Sequence, residues 1–188
     1  MKYKIYPTLL NLYARFERGL ASEQELLDRI NRVPIPQTEA QAKGVCFEDA
    51  VLKGIGEELF DPDVIIRSRA LLPKPVVATQ VYCESLIDEV LFYGFVDVLG
   101  HTMAVDLKST AAYTSCRFAE DHQNLYLPAL CKRSVHTLRY IITDFSDVYM
   151  EEYSLDYDFS LQYRQIKAFI DFLETHREQI TDRRIFAC

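Results

Sequence analysis

The segment that most constrains this chain is Gly94 to Lys108: two strand-like runs around a short polar turn at Gly100 and His101, with an aspartate in each run. Side chains alternate along a strand with a period of two. When the hairpin loop has an even number of residues, Asp97, Asp106 and Lys108 fall on one face, and Val96, Val98, Val105 and Leu107 fall on the other. Like charges opposed across a ladder are unfavourable by about 0.2–1 kcal/mol at exposed sites, and by more when desolvated. A divalent cation between the carboxylates reverses that sign. The competing reading is a surface hairpin with alternating charge. With 28 acids and 8 lysines, about one acid-x-Lys tripeptide arises by chance, and the chain has one, Asp106 to Lys108. The tripeptide carries no weight by itself, so its context decides.

At 188 residues and 49% hydrophobic, the chain is long enough for one well-filled core, and a single domain over 1–188 is expected. No run approaches the length of a membrane span and the N-terminus lacks the apolar core of a signal peptide, so no membrane association and a cytoplasmic location are expected. Cys46, Cys83, Cys116, Cys131 and Cys188 are widely spaced and never form Cys-x-x-Cys, which predicts free, mostly buried thiols. A net charge of −7 argues against coating nucleic acid through bulk electrostatics, yet it leaves room for a local groove. Basic residues that could track a strand are Lys43, Lys53, Arg67, Arg69, Lys74, Arg117, Lys132 and Arg133; each is equally an ordinary solvated charge.

Helical spacing dominates the first seventy residues. Pro7–Phe16 reads as a helix with Thr8 available as its cap, Ser22-Glu23-Gln24-Glu25 opens a second through about Val33, and Thr38 with Gln41 caps a third. Val45, Ala50, Val51, Ile55 and Leu59 are its expected buried stripe. Asp63 caps a short fourth helix over 64–71. The period then becomes two over 76–85, 90–98 and 103–109, giving three successive strands. A helix over 115–130, kinked or shortened at Pro128, precedes a strand pair at 139–145 and 148–155 and a C-terminal helix. This order predicts an α/β fold with one mixed central β-sheet flanked by helices.

These residues resemble the PD-(D/E)XK nuclease superfamily, in the branch of the RecB nuclease domain and lambda-type exonucleases. Tyr6 to Tyr13 is similar to the opening helix of RecB-type domains, Gly44-Val45-Cys46-Phe47-Glu48 to the helical motif carrying the first acid, Gly94 to Asp97 with Val105 to Thr110 to the central metal-binding hairpin, and Gln123-Asn124-Leu125-Tyr126 to the Gln and Tyr helix. The resemblance implies a restriction-endonuclease-like core (αβββαβ) and a metal-dependent deoxyribonuclease, in particular an exonuclease of phage or mobile-element recombination. It further implies DNA as partner and a recombination or helicase partner; oligomeric state stays open. Glu48, Asp97, Asp106 and the Leu107 carbonyl would hold Mg²⁺ or Mn²⁺, both of which prefer oxygen ligands. Asp97, Asp106 and Lys108 would be catalytic, with Lys108 orienting water or stabilising charge at phosphorus. Gln123 and Tyr126 would hold substrate, and Glu84 is a weaker spare ligand.

The chain departs from the family pattern in three places. Several relatives bind an iron-sulfur cluster through one cysteine in the first helix and three near the C-terminus. Here the first position is Phe16 and the C-terminus offers Cys188 alone, so no cluster is expected. The family spaces its Gln and Tyr four apart, whereas Gln123 and Tyr126 are three apart and His122 occupies the four-apart position. No phosphate-binding Gly-x-x-x-x-Gly-Lys motif occurs, so no motor is expected in the chain. Two other functions remain open: a non-catalytic nucleic-acid-binding or assembly module that keeps the fold, and an unrelated small-molecule metal hydrolase, which the scattered His101, His122, His136 and His176 disfavour.

Overall fold

A computed structural model of the chain describes residues 1–186; Cys188 lies outside the described residues. The elements run β1 (Tyr3–Ile5), α1 (Pro7–Glu17), α2 (Glu23–Ile30), α3 (Glu39–Lys53), α4 (Pro62–Ala70), β2 (Ala78–Ile87), β3 (Val90–Leu99), β4 (Met103–Ser109), α5 (Tyr126–Leu130), β5 (Thr137–Thr143), β6 (Val148–Ser154) and α6 (Ser160–Thr175). Six strands form one mixed sheet in the order β1-β3-β4-β5-β6, with β2 also paired to β3. The expected α/β architecture is present. No helix among the described residues is long and apolar enough to cross a membrane.

Strand β3 is the hub of the sheet. Antiparallel β2 follows it along its whole length, parallel β1 joins it at Val90–Phe92, and antiparallel β4 joins it only at Val98 and Leu99. Past Val98, β3 and β4 splay apart, and β4 turns its other edge to parallel β5 over its full length. The main core, on the side of α1, α5 and α6, includes Phe92, Val96, Tyr126, Tyr140 and Phe169. Val98, Val105 and Ile141 pack separately, next to a small cluster of α3 and α4 residues around Phe47 and Ile65.

Several sequence expectations need correction. Val96 and Val98 do not share a face: Val96 packs in the main core and Val98 packs with Val105. The alternation slips at Asp97, where β2 loses a pair because Gln80 opposite has a left-handed φ of 51°. Tyr6, not Thr8, precedes the first turn of α1, since Pro7 takes the first helical position, where its missing N–H matters least. Asp61, not Asp63, caps α4 for the same reason, with Pro62 following it. Helix α3 stops at Gly54, whose φ of 72° closes the C-terminus. Ile55 and Leu59 are therefore beyond the helix and exposed; Val45 is exposed too, and Phe47, Ala50 and Val51 form the buried face. The helix expected over 115–130 begins only with a 3₁₀ turn at His122–Leu125 that leads into α5. Pro128 has no N–H to give the Asn124 carbonyl, so an α-helix cannot run through that turn. Strand β1 has no signal in the sequence, because three residues are too few to show a period. The four described cysteines are free, but only Cys83 is buried, with its thiol pushed up to about 12 by burial, while Cys46, Cys116 and Cys131 are exposed.

Candidate functional site

The splay between β3 and β4 creates a gap in the sheet, and the polar side chains of the hairpin gather there. The Leu107 N–H donates to Asp97 Oδ2 (2.7 Å), so the Asp97 carboxylate takes the place of a ladder partner for the diverging strand. Asp106 is 2% exposed and lies on the main-core face of β4. Its Oδ2 is 2.5 Å from the Lys108 ammonium, and its Oδ1 accepts from Gln123 Nε2 at 2.7 Å. Lys108 also donates to Gln123 Oε1, so one glutamine amide bridges the acid and the lysine. Glu48 arrives from α3, which closes on the end of β4 because Gly44 has no side chain; a Cβ there would lie 2.7 Å from Ser109 Oγ.

Gln80 completes the cluster. Its Nε2 donates to Glu48 Oε1 at 2.6 Å and to Asp97 Oδ1 at 3.2 Å, holding the two carboxylates with one amide. Burial raises the Glu48 carboxyl above its ordinary range, and the Asp106 charge adds to this. Burial, followed by the Glu48 charge, pushes Asp97 up to about 6. Asp106 rises to about 7, driven by burial against the opposing pull of Lys108. Burial, the largest single influence, would lower the Lys108 ammonium, but the Asp106, Asp121 and Asp97 carboxylates together outweigh it and raise its pKa. Acids raised in this way are poorly solvated and mutually repelling, which suits a hard cation with oxygen ligands. Among the described residues, however, no three ligating side chains stand close enough to hold a metal as they are. The Gln80 amide lies between Glu48 and Asp97, and Lys108 faces Asp106. The donor set therefore fits a divalent cation in kind, and binding one requires the Gln80 amide to withdraw.

Gln123 and Tyr126 reach the centre from behind. In a 3₁₀ turn residues three apart eclipse, which puts both on one face despite their short spacing. Tyr126 is buried in the main core beside Leu125 and Leu130, and its hydroxyl fills the space over Gly94, where a Cβ would sit 2.4 Å from it. His122 turns away: its Nδ1 meets Asn11 Oδ1 at 2.8 Å, and burial pulls its pKa down to about 4. Glu84 stays on the outer face of β2, accepting from the Tyr82 hydroxyl at 2.6 Å. A cavity of about 460 Å³ opens beside the centre, lined by Thr8, Gln41, Gly44, Glu48 and Lys108 among others.

No family model matches the chain, and no curated protein matches it. Solved structures do. A crystal structure from Eubacterium rectale, of a protein described as a candidate exonuclease, superposes with a TM-score of 0.60 at 12% identity, covering 91% of this chain and 81% of that one. The crystal structure of SSO0001 superposes with a TM-score of 0.52 at 15% identity, covering 94% of this chain and 79% of the other. The chain has their fold.

Two parts of the site had no sequence signal. Gln80 is one polar residue among several in an alternating strand, and only its left-handed backbone turns it toward Glu48. Asn11 on α1 holds the 3₁₀ turn from outside: its Nδ2 donates to Asp121 Oδ1 (3.0 Å), and its Oδ1 accepts the His122 N–H (3.0 Å). Asp121 in turn caps Gln123 N–H at 2.8 Å. A capping Asp before a turn is a readable signal, whereas a partner more than a hundred residues away is not.

Proposed function

We propose that the chain is a divalent-metal-dependent nuclease of the PD-(D/E)XK class that hydrolyses DNA phosphodiester bonds, as an exonuclease of phage or mobile-element recombination. The observation that carries this reading is the convergence of Glu48, Asp97, Asp106 and Lys108 at the mouth of a splayed hairpin, with Gln123 bridging Asp106 to Lys108. The fold shared with a candidate exonuclease supports it. Glu48, Asp97, Asp106 and the Leu107 carbonyl would hold Mg²⁺ or Mn²⁺. When bound, the ion lowers the pKa of a coordinated water and polarises the phosphoryl oxygen. Lys108 orients the attacking water or stabilises negative charge at phosphorus. Gln123 is a positioning residue: its amide fixes both partners of the buried ion pair, and Tyr126 packs behind it.

A second reading, a DNA-binding or assembly module without turnover, draws on one observation: the acids are not yet within ligating distance of a common cation. One assay separates the two. Linear, nicked and circular DNA are incubated with Mn²⁺, with Mg²⁺ and with EDTA. Cleavage of linear DNA only with metal is the expected result; DNA binding without cleavage under any metal supports the module.

A further inference from the structure

The cavity beside Glu48 and Lys108 continues into another of about 490 Å³, with Gln41 and Ser109 lining both. Lys43 and Arg117 stand on the walls of this second space. Of the basic residues the sequence offers for tracking a strand, Lys53, Arg67 and Arg69 are ion-paired with acids of this chain. Lys74 lines a separate cavity with His101, by the turn of the hairpin. Lys43 and Arg117 have no carboxylate partner among the described side chains. The Lys43 ammonium sits 3.9 Å over the Phe145 ring, which anchors its stem, and its N–H groups keep no anion. Arg117 Nη1 donates to the Ala112 carbonyl at 2.8 Å, leaving the rest of the guanidinium fork free. The one acid on these walls, Asp144, is engaged by the Ser146 and Asp147 N–H groups and the Tyr149 hydroxyl. Beyond Arg117 a third cavity contains Arg18, which is paired to Glu120, so the run of free cations ends there.

In a chain of net charge −7, long-range electrostatics repel a polyanion, and contacts must come from cations whose charge the protein has not itself neutralised. A space of this volume is about 10 Å across, and a duplex is wider than its own major groove, which alone spans ~12 Å, so the space admits one backbone and not two. We infer that a single DNA strand leaving the metal centre lies along this furrow, with Lys43 and Arg117 each taking a backbone phosphate. The inference rests on the nuclease reading and adds the strand's path to it.

The test is fluorescence anisotropy of a short labelled single-stranded oligonucleotide, with Ca²⁺ in place of Mn²⁺, across a KCl series. Each neutralised phosphate on a single strand contributes about 0.7 to the slope of log affinity against log salt. The double variant Lys43→Ala/Arg117→Ala should flatten the slope by about 1.4 and weaken low-salt binding by about tenfold. Lys132→Ala/Arg133→Ala, which removes the same charge from residues lining none of these cavities, should leave the slope unchanged. If the alanine pair fails to fold, Lys43→Gln/Arg117→Gln keeps the stems and decides. Wild-type binding with an unaltered slope in the furrow variant, or an equal flattening in both pairs, overturns the path but leaves the nuclease reading standing. A wild-type protein that neither binds nor cleaves DNA overturns both.

Discussion

Gln123 donates to Asp106 and accepts from Lys108 with opposite ends of the same amide, so the acid and the base of the hairpin are held by one uncharged residue. Truncation at this position leaves a buried carboxylate oxygen and an ammonium each short of a partner. Gln123→Ala should lower stability by about 1–3 kcal/mol and reduce cleavage strongly. His122→Ala should leave the cleavage rate within a few-fold, because that imidazole faces Asn11. The two variants are compared by thermal melting and by initial cleavage rate, and the reverse ranking would transfer the role to His122.

Asp97 and Asp106 should respond differently to neutralisation. Asp97→Asn keeps an oxygen for the Leu107 N–H and removes one of two repelling charges beside Gln80, so metal-free thermal stability stays level or rises. Asp106→Asn leaves the half-buried Lys108 ammonium without its carboxylate and lowers stability. Both abolish metal-dependent cleavage. Melting in EDTA at mildly alkaline pH checks the split, and wild-type rates in either variant would remove its residue from the mechanism.

The raised carboxyls set a pH dependence of definite sign. The native protein holds protons on Asp97 and Asp106 up to about 6 and about 7, whereas in the unfolded chain they leave near 3.8. Their contribution to metal-free stability is thus fully present at low pH and lost as pH rises through those values. Asp144, Asp158 and Asp182, whose pKa values are lowered, act in the opposite sense at the acid end. Binding of Mn²⁺ competes with the raised protons. Calorimetry in buffers of different ionisation enthalpy should detect release of on the order of one proton near pH 6 and almost none near pH 9. Release that does not change over this range would count against the two acids as ligands.

Lys108→Met preserves the stem and removes the charge. Single-turnover cleavage should fall by about 10²–10³-fold, while Mn²⁺ affinity at alkaline pH changes by less than about tenfold. A collapse of affinity with cleavage retained would make Lys108 a structural partner of Asp106.

Gly94 and Tyr126 form a steric pair. A methyl at Gly94 meets the Tyr126 ring and hydroxyl at 2.4–2.9 Å, so Gly94→Ala should destabilise the fold by about 1–3 kcal/mol. Adding Tyr126→Leu to Gly94→Ala opens the space and should recover part of the loss. A double-mutant cycle by chemical denaturation measures the coupling, and simple additivity would rule the clash out.

What the sequence revealed was local. Met103–Ser109 could be delimited from its alternation alone, since β4 is paired along β5 for its entire length. That Asp97 meets the Asp106–Lys108 segment was legible because a short hairpin brings residues ten apart together. The slip between Val96 and Val98 was not, because it depends on the backbone of Gln80, on the neighbouring strand. Apolar spacing of three and four residues suits both an α-helix and the 3₁₀ turn at His122, so the sequence does not separate them. Its hidden consequence is that Gln123 and Tyr126 align at a spacing an α-helix would leave askew.

Tyr3 pairs in parallel with Val90, so β1 can be seated only after the helices and β2 that separate it from β3 have been made. At about 5–20 residues per second that delay is roughly 5 to 20 s. Throughout it, the apolar faces of α1 and α3, with Leu9, Leu10 and Phe47, have no sheet to lie against. Until then that apolar surface is open to chaperones and to aggregation. The emergence of β3 ends that exposure by supplying one strand to which β1, β2 and β4 all attach.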